Sequence, residues 1–533
     1  MSRIQYNCQI LGLQILLLPA MLLSISALFF FLTVPLTAFH FLLALLITIG
    51  LSLLLVKKTR TFTPPEEAKK GDFVKTTIVF ILLLLAFFFL CSQVMDLSRD
   101  GRDYHQPGVI ALANGWNPVR QPFIDTNDPS VPQGIKENEL LANHYPRASW
   151  ITAASVGLLT GSLEGGKLFN FLYLLAAFLV TLNFLSHFQR VPEPTKVIIS
   201  ALVALNPVAL YQLFSFNNDG QLASFITITI ILGFHYIMFR ERKILFFLLV
   251  AFPVLANIKF MGLLYGLMFM VLAWLTVFVI DRDLQARYIA ALGIAVFLGV
   301  VFIGFQPYIT NWIHKGNPLY PAVGGGEKVR LPAARLIENQ VPREFIQGNR
   351  FGKLFYSVFS QSEHRTDQMP RLKLPFYIND EEMSAFNGED PRYGGFGPLF
   401  GACLCFIVVG LVVVLLVLKA RKLVLLFTFI PAGIILISTL INPEAWWARL
   451  APQLWLLPIT FIITFYYIGR EEKMTYIRGF ALSILLINSL LVLAHYATHT
   501  LARNRQIRQQ TVSVLQESGG LPSFQKNSSQ ECY

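Results

Sequence analysis

Charge is scarce in this chain. Of 533 residues, 54% are hydrophobic and only 14% are Asp, Glu, Lys or Arg, and mean hydropathy is +0.56. A soluble fold of this length cannot hide so much apolar surface, which leaves an all-α polytopic membrane protein. Cysteine is also sparse, at five residues. Cys8 and Cys91 lie in or near apolar stretches, Cys403 and Cys405 lie inside one, and Cys532 is in the tail. Cys403-x-Cys405 lacks the spacing and polar setting of a zinc site, and no disulfide framework is visible. The short basic loops hold no nucleotide-binding motif. A formal net charge of +12 raises nucleic acid as a partner, but its placement argues against that. The bases gather in short loops at Lys57-Lys58, Lys69-Lys70, Arg240 to Lys243 and Lys419 to Lys422, the pattern of loops retained on the cytoplasmic side.

What is abundant is apolar sequence in runs of about 20 residues, the length that crosses a bilayer. Roughly thirteen stretches read as spans: 9–31, 34–55, 74–94, 168–186, 195–214, 220–238, 243–256 (short, and read as broken or tilted), 259–277, 287–306, 397–418, 422–440, 451–468 and 475–496. The first lacks a small-residue cleavage site and reads as a retained helix. The charge bias places the N-terminus in the cytoplasm, with loops 95–167 and 307–396 on the outer face. Residues 1–73 form a two-span hairpin and loop, 74–306 a transmembrane core, and 397–496 the C-terminal helices. The tail, 497–533, is Gln- and Ser-rich and is expected to be flexible. Within loop 95–167, the stretch from Trp150 to Leu159 predicts a short interfacial helix.

Polar residues so rare in the spans carry most information where they cluster at span ends. Asp100 and Asp103 follow the third stretch, with Tyr104 and His105 beside them. A carboxylate there can act as general base toward a hydroxyl or hold a metal near a phosphate; a solvated helix cap is the plainer reading. His144-Tyr145-Pro146-Arg147 offers phosphate or sugar contacts, with Arg147 able to pair with Asp100 or Asp103, or else forms a structural turn. Asp219 opens a later stretch and fits either a second acid or a cap. Lys259 is a lone charge in a long apolar run, suited to a lipid phosphate or to snorkelling. Near the end, Trp446, Trp447 and Arg449 offer sugar stacking and a phosphate fork, or an interfacial aromatic belt.

The order of these motifs resembles the GT-C superfamily of membrane glycosyltransferases, particularly the bacterial branch that includes protein mannosyltransferases and lipid A aminoarabinose transferases. Asp100-Gly101-Arg102-Asp103-Tyr104-His105 is similar to that family's Asp-Glu-x-x-Tyr-Ala, with Gly101 replacing the second acid and Asp103 a candidate to compensate. His144-Tyr145-Pro146-Arg147 resembles its His-Tyr-Pro-Pro, and Lys167-Leu168-Phe169-Asn170 its Arg-Leu-x-Asn. Asn206-Pro207 followed by Asp219, and Asn257-Ile258-Lys259-Phe260-Met261-Gly262, fit the same series, as does Gly316-Asn317-Pro318-Leu319-Tyr320-Pro321. The resemblance implies a GT-C-like transmembrane helix bundle with two large outer-face loops, in the inner (plasma) membrane. It implies transfer of a hexosyl or pentosyl group, with inversion, from a polyprenyl-phosphate donor to a cell-envelope acceptor. Asp100 is then the base, and Lys259 and Arg449 touch phosphate. No cofactor is implied with certainty; a divalent cation is compatible, with no metal cage in the sequence. Two other classes share these features: a transporter of lipid-linked sugars, and an O-antigen-ligase-like enzyme using the arginines of loop 307–396.

Overall fold

Inside hydrocarbon every backbone N–H and C=O must be satisfied within its own segment, so the apolar stretches fold as helices. The computed structural model describes residues 3–58, 71–125, 127–129, 139–280, 285–322, 341, 345, 348–364, 368–417, 429–468 and 472–517. The basic pairs Lys69-Lys70 and Lys419 to Lys422, the loop residues Arg330, Arg335 and Arg343, and the end of the tail lie outside them. The principal helices are α1 (Arg3–Phe31), α2 (Ala38–Lys58), α3 (Asp72–Ser92), α4 (Gln106–Ala113), α5 (Ala148–Thr160), α6 (Leu168–Leu185) and α7 (Glu193–Ala204). They continue as α8 (Asp219–Phe239), α9 (Arg242–Ile258), α10 (Phe260–Ile280), α11 (Phe400–Val417), α12 (Ile430–Ile441), α13 (Leu456–Ile468) and α14 (Glu472–Glu517). Among the described residues there is no extended strand, only isolated bridges such as Ser360 with Leu372.

Among the described residues, six helices are long and apolar enough to cross a membrane, and a seventh if the pair Arg287–Phe302 and Phe305–Lys315, bent by 75°, is one span. The chain is a multi-pass, all-α membrane protein. α1 and α8 are mostly buried, whereas α2 and α3 expose most of their surface. Polar side chains inside the bundle find one another: Gln14 Nε2 donates to Thr77 Oγ1 at 2.8 Å, and Arg3 Nε to Asp72 Oδ2 at 2.8 Å. Such interhelical contacts average about 0.6 kcal/mol in a membrane.

Two expectations need correction. The stretch 195–214 is not one span. α7 stops at Ala204, and a buried irregular segment runs from Leu205 to Asn218 with one short turn at Pro207–Leu210. Asn206 precedes a proline, which disfavours helical backbone there, and its side chain caps the next turn by accepting from Val208 N at 3.1 Å. Buried carbonyls beyond it are met by Asn170, whose Nδ2 donates toward Gln212, Leu213 and Ser215 oxygens at 3.1, 3.1 and 2.9 Å. Nor is the tail flexible from residue 497, because α14 runs on to Glu517. No glycine or proline interrupts 497–517, and Asn504 clamps Met95, accepting from its N at 2.7 Å and donating to its O at 3.3 Å.

Candidate functional site: an acid–base cluster at one end of the bundle

Five separate segments deliver charged side chains to one place. Asp100 comes from the turn after α3, and Asp219 is the first residue of α8. Lys259 sits in extended backbone between α9 and α10. Asp390 and Arg392 come from the long loop before α11, and Trp447 and Arg449 from the link between α12 and α13. Lys259 Nζ lies 2.5 Å from Asp219 Oδ1. Arg449 Nη1 lies 3.0 Å from Asp100 Oδ2 and 3.5 Å from Asp219 Oδ2, and its Nε 3.4 Å from Asp390 Oδ1. Asp390 also accepts from Trp447 Nε1 at 2.8 Å and faces Arg392 Nη2 at 3.2 Å. The Trp447 ring carries both guanidiniums, Arg392 at 3.7 Å and Arg449 at 3.9 Å from its centroid.

Two glycines make this convergence sterically feasible. A Cβ at Gly101 would lie 2.0 Å from Asp96 Oδ2 and 2.1 Å from Ser98 Oγ. Asp96 is committed, because its Oδ2 accepts from Phe216 N at 2.8 Å and so ties the turn carrying Asp100 to the segment carrying Asp219. A Cβ at Gly262 would lie 2.1 Å from Leu255 O, so its absence lets α10 fold back on α9 and turns out Lys259.

Exposure differs sharply among the acids. The Asp100 side chain is 34% exposed and that of Asp219 only 3%. Asp100 titrates below the ordinary carboxylate range: partial burial works upward, but the positive charges of Arg449 and Lys259 outweigh it. Burial raises Asp390 despite Arg449 and Arg392. Arg449 is raised, since Asp390, Asp219 and Asp100 outweigh its own burial. Burial pushes His105 down to about 3, so at neutral pH its ring is uncharged, and Trp150 Nε1 donates to its Nδ1 at 2.7 Å. The Tyr104 ring packs on His105, tilted by 35° with centroids 4.2 Å apart, and lies 6.5 Å from the Tyr145 ring, which packs on Phe260 beside Lys259.

Four residues expected at the site lie elsewhere. Asp103 does not compensate for Gly101; its side chain is 50% exposed and pairs with Arg99 at 3.5 Å. Arg147 pairs with neither Asp100 nor Asp103. It precedes α5 and points back at the end of helix Glu139–His144, donating to Ala142 O at 3.0 Å and Asn143 O at 2.7 Å, where helix-end carbonyls attract a cation. Its guanidinium lies 4.8 Å from the Trp116 centroid. His144 contacts Asn311 Oδ1 at 2.7 Å and the Tyr320 ring at 4.9 Å, fastening loop 95–167 to the Gly316–Pro321 turn. Trp446 is buried against Phe345 and Tyr393 and donates to Glu444; its neighbour Trp447 faces the cluster instead. Asp390 is not among the acids expected at the site, and Arg392 is one of the many arginines of loop 307–396. The run Asp390-Pro391-Arg392, shortly before α11, has the same relation to a span end that singles out Asp100.

No family model matches the chain, and no curated protein or solved structure matches it.

Proposed function

We propose that the chain transfers a sugar from a polyprenyl-phosphate donor to an acceptor hydroxyl on a cell-envelope glycan, lipid or protein at the outer membrane face. The observation supporting this reading most is the meeting of Asp100, Asp219 and Asp390 with Lys259, Arg392 and Arg449 at one end of an apolar bundle. Helix ends beside hydrocarbon suit a substrate with a polar head and a polyprenyl tail. The resemblance to GT-C enzymes agrees with it in the placing of Asp100, Lys259 and Arg449.

In this reading the donor phosphate enters between Lys259 and Arg449, and Arg449 turns its fork from Asp100 to the phosphate oxygens. Asp100 thereby loses the charge that holds its proton affinity down, and becomes a better base as the substrate binds. Asp100 takes the acceptor hydroxyl proton. The acceptor oxygen bonds to the anomeric carbon, the carbon–oxygen bond to phosphate breaks, and its electron pair leaves with the polyprenyl phosphate. Lys259 and Arg449 meet the charge that develops there. Asp219 and Asp390 hold the two cations in place. Tyr104, Tyr145 and Trp447 border the space a sugar would fill.

A second reading is transport of the same lipid-linked sugar. The break between α7 and α8 favours it, because discontinuous helices form many transporter sites. One experiment separates them. Purified protein in lipid vesicles is given radiolabelled polyprenyl-phosphate sugars and a membrane extract. Transfer predicts label leaving the lipid fraction for an acceptor. Label that crosses the bilayer while still on its lipid, with none transferred, would overturn the enzyme reading.

A further inference from the structure

A second cluster lies at the other end of α8. His235 is about 24 Å from Asp219 along that helix, at about 1.5 Å per residue. There α6 has ended at Leu185, α8 ends at Phe239 and α9 begins at Arg242. His187 Nε2 lies 3.3 Å from Glu241 Oε1, and His235 Nε2 lies 3.0 Å from Glu241 Oε2. One ligand atom from each of the three residues lies within 4.8 Å of the others. Neighbouring ligand atoms on a tetrahedral zinc ion, with bonds of about 2.0–2.1 Å, are roughly 3.4 Å apart.

The protons on His187 carry the argument further. Its Nδ1 lies 3.0 Å from the Asn183 carbonyl oxygen, which only accepts, so Nδ1 carries the ring proton. Nε2 is then the ring nitrogen left to take a ligand, and it is aimed at a carboxylate oxygen of Glu241. A cation shared by the two groups, a proton or a metal ion, satisfies both at this spacing. A backbone carbonyl that fixes the tautomer in this way is the usual companion of a metal-bound histidine. Rings of Phe184 and Phe239 pack on His235 at 5.8 and 5.3 Å, and Phe239 stacks on His187 at 4.5 Å, which limits water. Lys243 Nζ faces the same carboxylate at 3.2 Å. Its long stem allows the ammonium to withdraw when an ion enters.

We propose that His187, His235 and Glu241 form a transition-metal site, best suited to Zn²⁺, that clamps the ends of α6, α8 and α9. Two imidazoles and a carboxylate are ligands that zinc shares with neighbouring first-row ions. Three protein ligands leave a fourth position for water. The site lies far from the acid–base cluster, so it acts on the stability of the bundle and not on the transfer step.

The test uses the full chain, purified without a histidine tag and stripped with a chelator. Zn²⁺ is measured by elemental analysis after dialysis, and Co²⁺ is titrated by its visible absorption. The expected result is about one ion per chain, a tetrahedral Co²⁺ spectrum, and a melting temperature that rises with metal. His187→Ala and Glu241→Gln should each weaken binding at least about 100-fold and abolish the thermal shift, since each removes a ligand where even a supporting residue is worth 10–100-fold. Asp100→Asn should bind metal as wild type does. Absence of saturable binding by the stripped wild-type protein, or unchanged affinity in a His187→Ala/Glu241→Gln double variant, would overturn the proposal.

Discussion

Arg449 touches Asp100, Asp219 and Asp390 with one planar group, at 3.0, 3.5 and 3.4 Å. Lysine carries the same charge but has no fork, so Arg449→Lys is not conservative here. In the proposed reaction Arg449→Lys should lower kcat/KM by roughly 10²–10³, the range for losing one preorganised donor. The pH profile gives a sharper test. Arg449 holds Asp100 down, and a base must be deprotonated, so the acidic limb of kcat/KM lies below the ordinary carboxylate range. Removing the cation raises that pKa, and the limb in Arg449→Ala should move to higher pH. A limb that stays in place would separate Asp100 from the titration. At Gly101 the prediction concerns stability. Gly101→Ala places a methyl against Asp96 and Ser98, and should lower the melting temperature even without substrate. Asp100, Lys259 and Arg449 were legible in the sequence because each is a charge beside an apolar run. Asp390 was not, because a loop rich in charge gives no contrast to any one acid.

Elements carry the site through their breaks as much as through their lengths. The segment between α7 and α8 reads as continuous in hydropathy, yet Asn206-Pro207 stops the helix and Asn170 supplies donors to the carbonyls that follow. Composition registers apolar residues and is blind to one amide placed against three carbonyls. Asn170→Ala leaves those buried acceptors short, at a cost of about 1–3 kcal/mol. It should lower thermal stability and loosen Asp219 together. The check is a melting curve paired with hydrogen exchange across residues 211–218, where unchanged protection would contradict the role. α14 shows the opposite failure. A Gln-rich segment looks disordered by composition, but good helix formers with no breaker extend a helix already begun. At 46 residues it is about 69 Å long, more than twice a hydrocarbon core.

The whole molecule is a helix bundle with its charge drawn to its ends. The acid–base cluster joins the last turn of some helices to the first turn of others, as alternating spans require. Asn504 ties the C-terminal half of α14 to Met95, which places the stretch beyond residue 497 at the cluster's end. In the proposed orientation both face outward. Cysteine at Arg99 and at Arg505 should therefore react with a membrane-impermeant thiol reagent from outside intact cells, and labelling only after lysis would reverse the assignment. Composition was sufficient for a multi-pass helical protein, and charge at the ends of apolar runs singled out four of the residues that meet, Asp100, Asp219, Lys259 and Arg449. Which acid faces the cluster depends on packing: Asp100 and Asp103 are neighbours in sequence, yet one lies against Arg449 and the other against Arg99.

That difference supplies the most direct measurement. Initial rates of sugar transfer from radiolabelled polyprenyl-phosphate donors are compared for wild type, Asp100→Asn and Asp103→Asn in the same vesicles. The account predicts a loss of roughly 10²–10⁴ in Asp100→Asn, the usual contribution of a general base, and a rate near wild type in Asp103→Asn. Wild-type transfer by Asp100→Asn, or an equal loss in both variants, would contradict it.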